Sequence, residues 1–103
     1  MKINELFYIG NKSKNIDVLR ENMDVAAQIN INNERLRGCN VVDNSLFICS
    51  TDSKKLHKFK MPNYERVASE IFDSWITWIM QLKQNLLVLS CTDGCLILFD
   101  YDQ

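Results

Sequence analysis

A short segment recurs three times along the chain at a spacing of about forty residues. LFYIGNKSKNIDVL (Leu6–Leu19) aligns without a gap on LFICSTDSKKLHKF (Leu46–Phe59), and LVLSCTDGCLILF (Leu87–Phe99) aligns on the second copy after one gap. A fixed period of this length is typical of repeat architectures, in which each unit buries its faces only against its neighbours. The chain is therefore predicted to consist of related units rather than one unique core.

Each copy joins two largely apolar runs through a polar turn, which is the pattern of a β-hairpin. The three predicted turns lie at Gly10–Asn15, Thr51–Lys55 and Thr92–Gly94. Asp52, Asp93 and Gly94 are interpreted as structural turn residues, because aspartate can bond the backbone two residues on and glycine accepts positive φ. The apolar runs of the last hairpin do not alternate with polar residues, so both faces of its strands are predicted to be covered, as in stacked sheets.

The stretch Ile76 to Tyr101, with its Thr-Asp-Gly turn and closing Phe99-Asp100 pair, resembles the WD40-type β-propeller repeat. Asp93 falls where that family places the aspartate of the turn between its second and third strands, and Asp52 falls there in the preceding copy. Phe99-Asp100 stands where the family often has Trp-Asp. The chain has no Gly-His dipeptide, so the resemblance names no subfamily.

The resemblance implies an all-β fold, a partial propeller built from four-stranded antiparallel blades. The chain, residues 1–103, would be a single propeller segment with a partial blade at 1–35, a full blade at 36–73 and a partial blade at 74–103. In this arrangement no innermost strand precedes Leu6, and no outer strand follows Tyr101.

A different fold follows if residues 64–83 form a helix. Apolar residues between Tyr64 and Met80 also fit the helical spacing of three and four residues, and Pro62-Asn63 resembles a helix start. That reading gives an α+β fold, with β-hairpins packed on one amphipathic helix. The dense Ile, Trp, Phe and Thr residues favour two strands with a turn at Asp73-Ser74.

Two groups of side chains are candidate interface residues. Lys54, Lys55 and Lys58, with Lys60, are predicted to form a solvated edge strand. The alternative prediction is that the segment Lys54–Lys60 binds nucleic acid or a phosphate headgroup. Trp75 and Trp78 are predicted to point to opposite faces, one into the core and the other outward as an interface anchor.

No constellation of catalytic or metal-binding residues is evident in the sequence. His57 is the only histidine and is predicted to be a partly exposed strand residue. Ser50 and Ser90 have no histidine beside them in the sequence, and the four cysteines do not form two short ligand pairs, so no metal or cofactor is expected. The cysteines are expected to be reduced packing residues, with a Cys91–Cys95 disulfide as the alternative.

The predicted function is non-catalytic: a protein–protein interaction scaffold within a multi-protein complex or a longer chain. The expected partners are other proteins or further blades, with the chain an obligate oligomer or a fragment. Nucleic-acid binding is not expected at a net charge of −1. The N-terminus lacks a signal-peptide core and no apolar run reaches membrane-helix length, so an intracellular location, cytoplasmic or nuclear, is predicted.

Overall fold

The computed structural model describes residues 1–3, 5–10, 15–31 and 34–101. Within these ranges every regular element is a β-strand, and the strands pair antiparallel with their neighbours in sequence. The fold is therefore all-β, as predicted, and the α+β alternative is wrong. The region 64–83 forms two strands, Glu65–Ile71 and Ile76–Lys83, rather than a helix.

The first sheet contains four strands in the order of the chain. Its strands are β1 (Lys2–Ile3), β2 (Leu6–Gly10), β3 (Asn15–Arg20) and β4 (Val25–Asn30). β1 is only two residues long, yet it pairs with β2 through Lys2 opposite Phe7 and Ile3 opposite Leu6. The prediction that no strand precedes Leu6 is therefore wrong.

The middle sheet also has four strands in chain order. They are β5 (Leu36–Val42), β6 (Ser45–Ser50), β7 (Lys55–Lys60) and β8 (Glu65–Ile71). Every residue of β6 from Leu46 to Ser50 is buried, so neither face of this strand meets solvent. Burial on both faces explains why its apolar run does not alternate with polar residues.

The third sheet has three strands within the described residues. They are β9 (Ile76–Lys83), β10 (Leu86–Cys91) and β11 (Leu96–Asp100). β10 and β11 form the hairpin that the sequence predicts, with Leu87 opposite Phe99 and Leu89 opposite Ile97. β10 is the central strand, whereas β11 lies at one edge of the sheet.

Two hydrophobic cores lie between successive sheets. The first packs Tyr8, Ile16 and Val18 of the first sheet against Leu46 and Ile48 of the middle sheet. Burial of each such side chain contributes roughly 1.5–3 kcal/mol, so these cores supply most of the favourable free energy of folding.

The second core joins the opposite face of the middle sheet to the third sheet. Phe47 and Leu56 pack there against Ile79, Leu87 and Leu89. The middle sheet is thus covered on both faces, whereas the described parts of the first and third sheets are each covered on one. The prediction that both faces of the last hairpin are covered is therefore wrong, because Leu96 and Leu98 are exposed.

One more residue separates the last paired residues of the central hairpin in the middle sheet than in the other two sheets. Cys49 pairs with Leu56 in the middle sheet, whereas Ser90 pairs with Leu96 in the third sheet and Gly10 with Ile16 in the first. The gap placed in the third copy is therefore correct. The ungapped alignment of the first copy is wrong by one residue in its first strand. The predicted turn of the first sheet, Gly10–Asn15, includes residues 11–14, which lie outside the described residues.

Candidate functional site

The outward surface of the third sheet carries a patch of apolar side chains, which we call the end face: the exposed Met80, Leu96 and Leu98 around the half-buried Val88. Val88 lies opposite both Met80 on β9 and Leu98 on β11, and Leu96 is the next outward residue on β11. Met80, Leu96 and Leu98 are 56%, 71% and 64% exposed. A contiguous apolar patch of this kind marks a contact surface more often than scattered apolar residues do.

The end face corresponds in position to a buried face of the middle sheet. By strand pairing, Val88 and Leu98 are the counterparts of Phe47 and Lys58, and Leu96 is the counterpart of Leu56. Phe47 is 0% exposed because the third sheet covers it. In the middle sheet the corresponding face is thus covered by a neighbouring sheet, whereas the end face of the third sheet is exposed.

A groove runs beside β11, between this strand and β8, and we call it the edge groove. It holds a cavity of about 310 Å³ lined in part by Lys58, Ala68 and Phe99. A second cavity of about 340 Å³ lies in the same groove, with Ile71 and Ile97 in its walls. The two sheets therefore diverge along their outer edges.

The turn residue Asp93 bonds both its own turn and the neighbouring loop. Its Oδ1 accepts a hydrogen bond from the Cys95 N–H at 3.0 Å, and its Oδ2 accepts one from the Ser74 hydroxyl at 2.6 Å. These two bonds hold the pKa of Asp93 below its ordinary value, and the bond from Ser74 has the larger effect. Gly94 follows with φ 86°, a left-handed conformation that suits glycine.

Asp52 connects the turn of the middle hairpin to the segment that precedes β5. Its Oδ2 accepts a hydrogen bond from the Arg35 N–H at 2.6 Å, and its Oδ1 lies 3.4 Å from the Arg35 guanidinium. The carboxylate therefore attaches the beginning of this sheet to the turn between its second and third strands.

A buried polar cluster, which we call the Glu34 cluster, joins the same segment to three strands. Glu34 Oε1 accepts hydrogen bonds from the hydroxyls of Ser50 and Ser53 at 2.9 and 2.8 Å, and it lies 3.0 Å from His57 Nε2. The other ring nitrogen of His57 lies 2.8 Å from the Ser69 hydroxyl. His57 is 0% exposed, so the prediction of a partly exposed histidine is wrong.

The hydrogen bonds of the Glu34 cluster set the charge of its carboxyl group. Burial raises the pKa of Glu34, but the bonds from His57, Ser53 and Ser50 outweigh that effect and hold the pKa below its ordinary value. An ionised carboxylate can only accept hydrogen bonds, so Nε2 of His57 carries the proton. The cluster aligns a carboxylate, an imidazole and the Ser69 hydroxyl, but the imidazole itself has no surface in contact with solvent.

Neither tryptophan is buried, so the prediction that one of them lies in the core is wrong. Trp75 is 40% exposed, and the ammonium of Lys54 lies 4.5 Å from the centre of its ring, which is a cation–π contact. Trp78 is 45% exposed, and its ring lies close to Gly38. A Cβ atom added at Gly38 would be 3.5 Å from the ring, which is ordinary van der Waals contact. Both remain candidate interface residues.

The lysines of Lys54–Lys60 do not form an edge strand. Lys55 and Lys58 lie on β7, which is paired with β6 on one side and β8 on the other, so the prediction of an edge strand here is wrong. Lys58 points toward the third sheet, with its ammonium 5.9 Å from the ring centre of Phe47 and 5.8 Å from that of Tyr101. Lys54 instead lies over Trp75.

All four cysteines are free, and three of them are buried. Burial raises the pKa of Cys39 to about 12 and that of Cys49 to about 11. Across the described ranges, no group of three or more His, Cys, Asp or Glu residues is arranged to hold a metal ion. The same part of the chain contains no helix of sufficient length and apolarity to cross a membrane.

Comparison with known proteins identifies the fold without a family. No protein-family model matches the chain, and no curated protein matches its sequence. The structure is similar to the crystal structure of the computationally designed Ika4 protein, with a TM-score of 0.74 and 13% identity over 97% of this chain and 62% of that one. It is also similar to the computationally designed Ika8 protein, with a TM-score of 0.75 and 13% identity over 97% of this chain and 31% of that one. The chain thus spans less than two thirds of either protein's length, and at this identity the likeness concerns the fold alone.

Proposed function

We propose that this chain is a non-catalytic scaffold for protein–protein interaction, a WD40-like propeller segment that acts within a multi-protein complex or a longer chain. The end face is the observation that carries the proposal. Met80, Leu96 and Leu98 expose on the third sheet an apolar surface of the kind that the middle sheet buries against its neighbour. Removal of this surface from water by a partner lowers the free energy and therefore favours binding.

The partner that fits the end face is another β-sheet with an apolar face. Both cores of this chain are made by packing one antiparallel sheet on the next, so a further sheet would repeat a contact that the chain already makes twice. The designed proteins extend beyond the part that this chain matches. An interface of this kind is expected to be large and apolar, like a domain core cut in half.

The non-catalytic part of this proposal is supported by the bonds of the Glu34 cluster. The cluster contains residue types found in hydrolase sites, but its carboxylate accepts hydrogen bonds from the hydroxyls of Ser50 and Ser53 besides its contact with His57. The cluster thereby joins residues of three strands, which favours a structural role.

Sedimentation equilibrium on the 103-residue chain tests the proposal. We expect the chain to self-associate at micromolar concentration and the double variant Leu96→Lys/Leu98→Lys to be monomeric with unchanged cooperative unfolding. Ile71→Lys is the matched control, because Ile71 is equally exposed but lies on β8, away from the end face. A folded, dispersed monomer of the unmodified chain would contradict the proposal. Association that disappears in high salt and depends on Lys54 and Lys55 would instead favour binding through the basic segment Lys54–Lys60.

A further inference from the structure

Two of the four thiols lie across one turn of the third sheet. Cys91 is the last residue of β10, and Cys95 comes directly before β11. The Cys91 N–H donates to the Cys95 carbonyl, and the Gly94 N–H donates to the Cys91 carbonyl, both at 3.1 Å. With Gly94 at φ 86°, these bonds form a β-bulge in which the residue after the glycine lies opposite the partner strand. Cys91 and Cys95 are therefore directly opposed at the end of the hairpin.

Both cysteine side chains belong to the inward face of this hairpin. Cys91 is 7% exposed and follows Leu87 and Leu89, which are buried against the middle sheet, at alternate positions of β10. Alternate residues of a strand share a face, so Cys95 shares the face of the half-buried Ile97. Cys91 and Cys95 also line the same cavity of about 340 Å³ in the edge groove. The two thiols thus border one space from opposite sides of the hairpin.

The spacing of opposed residues suits a disulfide that forms and breaks easily. Opposed residues that share a backbone hydrogen bond have Cα atoms about 5.5 Å apart, within the range of about 4.4–6.8 Å found in disulfides. Their Cβ atoms lie about 4.5–5.5 Å apart, whereas about 3.5–4.5 Å is usual in a disulfide. Closure therefore requires a small movement of the turn, whose residues Thr92, Asp93 and Gly94 are all exposed. Disulfides that are strained or exposed are the ones that are readily reduced.

The two thiols differ in their access to a dissolved oxidant. Cys95 is exposed, whereas Cys91 is buried. Burial raises the pKa of Cys91, and the neighbouring Asp93 carboxylate and Cys95 thiol raise it further. The thiolate is the form that reacts with peroxides, and exposure decides which cysteine a peroxide reaches. Cys95 is therefore the thiol that is oxidised first, and Cys91 is the thiol that stands next to the product.

We infer that Cys91 and Cys95 form a reversible redox site, at which a hydroperoxide oxidises Cys95 and Cys91 then closes a disulfide across the turn. In the first step the Cys95 thiolate attacks the peroxide, the O–O bond breaks, and water or an alcohol leaves, so that Cys95 becomes a sulfenic acid. In the second step the Cys91 thiolate attacks the Cys95 sulfur, the S–O bond breaks, and the hydroxide takes a proton and leaves as water. The two thiols together lose two electrons, which the peroxide accepts. The inference goes beyond the proposed scaffold function and does not depend on it, because neither thiol belongs to the end face.

The other two cysteines provide a comparison within the same chain. Cys39 pairs with Ile48 and Cys49 with Gly38, so the two cysteines lie on adjacent strands but one position out of register. Cys39 packs in the first core and Cys49 in the second, so their side chains face opposite sides of the middle sheet. Burial also raises the pKa of Cys39 to about 12 and that of Cys49 to about 11. Neither thiol is expected to react in the folded protein.

The test treats the folded 103-residue chain with hydrogen peroxide and then alkylates the remaining thiols in urea. We expect a mass loss of two hydrogen atoms, no covalent dimer, and alkylation of Cys39 and Cys49 alone. Endoproteinase Asp-N cleaves before Asp93, between Cys91 and Cys95, so the two fragments should remain joined until dithiothreitol separates them. The thiols of Cys91 and Cys95 should disappear at least about ten-fold faster than those of Cys39 and Cys49. Oxidation of Cys95 to a sulfinic acid without a bridge, or a covalent dimer as the main product, would overturn the inference.

Two variants separate the steps and provide a matched control. Cys91→Ser should accumulate the sulfenic acid at Cys95, which dimedone traps, and a disulfide at Cys95 of this variant would contradict the role of Cys91. Cys95→Ser/Leu96→Cys moves the exposed thiol by one residue to the outward face, so peroxide should still oxidise it. This thiol should form no bridge to Cys91. A bridge at the same rate as in the parent would show that proximity in sequence, rather than the fold of the hairpin, brings the sulfurs together, and would overturn the inference.

Discussion

The imidazole of His57 and the carboxylate of Glu34 form a buried contact, with 3.0 Å between Nε2 and Oε1, across 23 residues of sequence. Glu34 lies in the segment that leads into β5, and His57 lies in the middle of β7. The hydroxyls of Ser50 and Ser53 donate to the same carboxylate oxygen. One acidic side chain therefore joins the entry of the middle sheet to its central hairpin.

Replacement of Glu34 by alanine is expected to destabilise the fold by about 2–4 kcal/mol. The change removes the carboxylate that accepts three hydrogen bonds, so the buried donors of His57 and Ser50 lose their partner. Each buried donor without a partner costs about 1–3 kcal/mol, and relaxation of the surrounding structure offsets part of that cost. Urea unfolding followed by circular dichroism measures the change in the free energy of unfolding.

Ser69→Ala is the matched control for that substitution. It removes one hydroxyl from the same cluster at the exposed end, so we expect a loss below about 1 kcal/mol. A Glu34→Ala variant as stable as the parent would show that the cluster does not support the fold, and the case for a structural role would then fail.

The Glu34 cluster also predicts a specific dependence of stability on pH. The folded state holds the pKa of Glu34 below its ordinary value of 4.5, so the folded protein favours the ionised form. This contribution is fully present above pH 4.5 and is lost as pH falls through the folded pKa. Unfolding free energy measured from pH 7 down to pH 3 should decline more in the parent than in Glu34→Gln. Parallel pH profiles for the two proteins would contradict this assignment.

The third hairpin shows what local sequence can predict in a chain of this kind. Two apolar runs around Thr-Asp-Gly predict the pairing of β10 with β11, and Gly94 adopts the positive φ that the turn requires. Asp93 accepts the Cys95 N–H, a bond between neighbouring residues of one turn. All of these features depend on residues close together in sequence, which is why the pattern was sufficient.

The helical spacing between Ile76 and Ile79, in the second half of the region 64–83, has a physical cause within β-structure. Ile76 and Ile79 are three residues apart, yet both are buried against the middle sheet. The ladder between β9 and β10 is irregular at this point, where Ser90 pairs with Trp78 and Cys91 with Ile76, so one extra residue shifts the alternation. A bulged strand can therefore imitate the three-residue spacing of a helix.

The position of His57 could not be predicted from its neighbours in sequence. Its partner Glu34 belongs to a connecting segment, and only the folding of the middle sheet brings the two together. The lysines show the same limitation: charge alone predicts an edge strand, whereas β8 pairs along β7 and makes it an interior strand. Partners from distant segments leave no periodic signal in the sequence.

Replacement of Asp93 by alanine is expected to lower the melting temperature without removing any binding activity. The carboxylate accepts one backbone and one hydroxyl hydrogen bond at an exposed turn, so the loss should be smaller than that caused by Glu34→Ala. Asp93→Asn keeps an acceptor oxygen and should recover part of the loss. Differential scanning calorimetry measures the melting temperature, and sedimentation equilibrium measures the self-association expected of the end face. An unchanged melting temperature together with lost self-association would instead make Asp93 a binding residue.

Thiol labelling of the native protein is expected to modify Cys95 far faster than the other cysteines. The thiolate is the reactive form, and burial raises the pKa of Cys39 to about 12 and of Cys49 to about 11, so at pH 8 little thiolate forms at either. Cys91 is buried as well, and burial also raises its pKa, whereas Cys95 is exposed in the turn. Mass spectrometry after brief treatment with iodoacetamide should find a single adduct, and Cys95→Ser should abolish it, while all four sites react in urea. Rapid labelling of Cys39 or Cys49 in the native protein would contradict the tight packing of β5 and β6 between the flanking sheets.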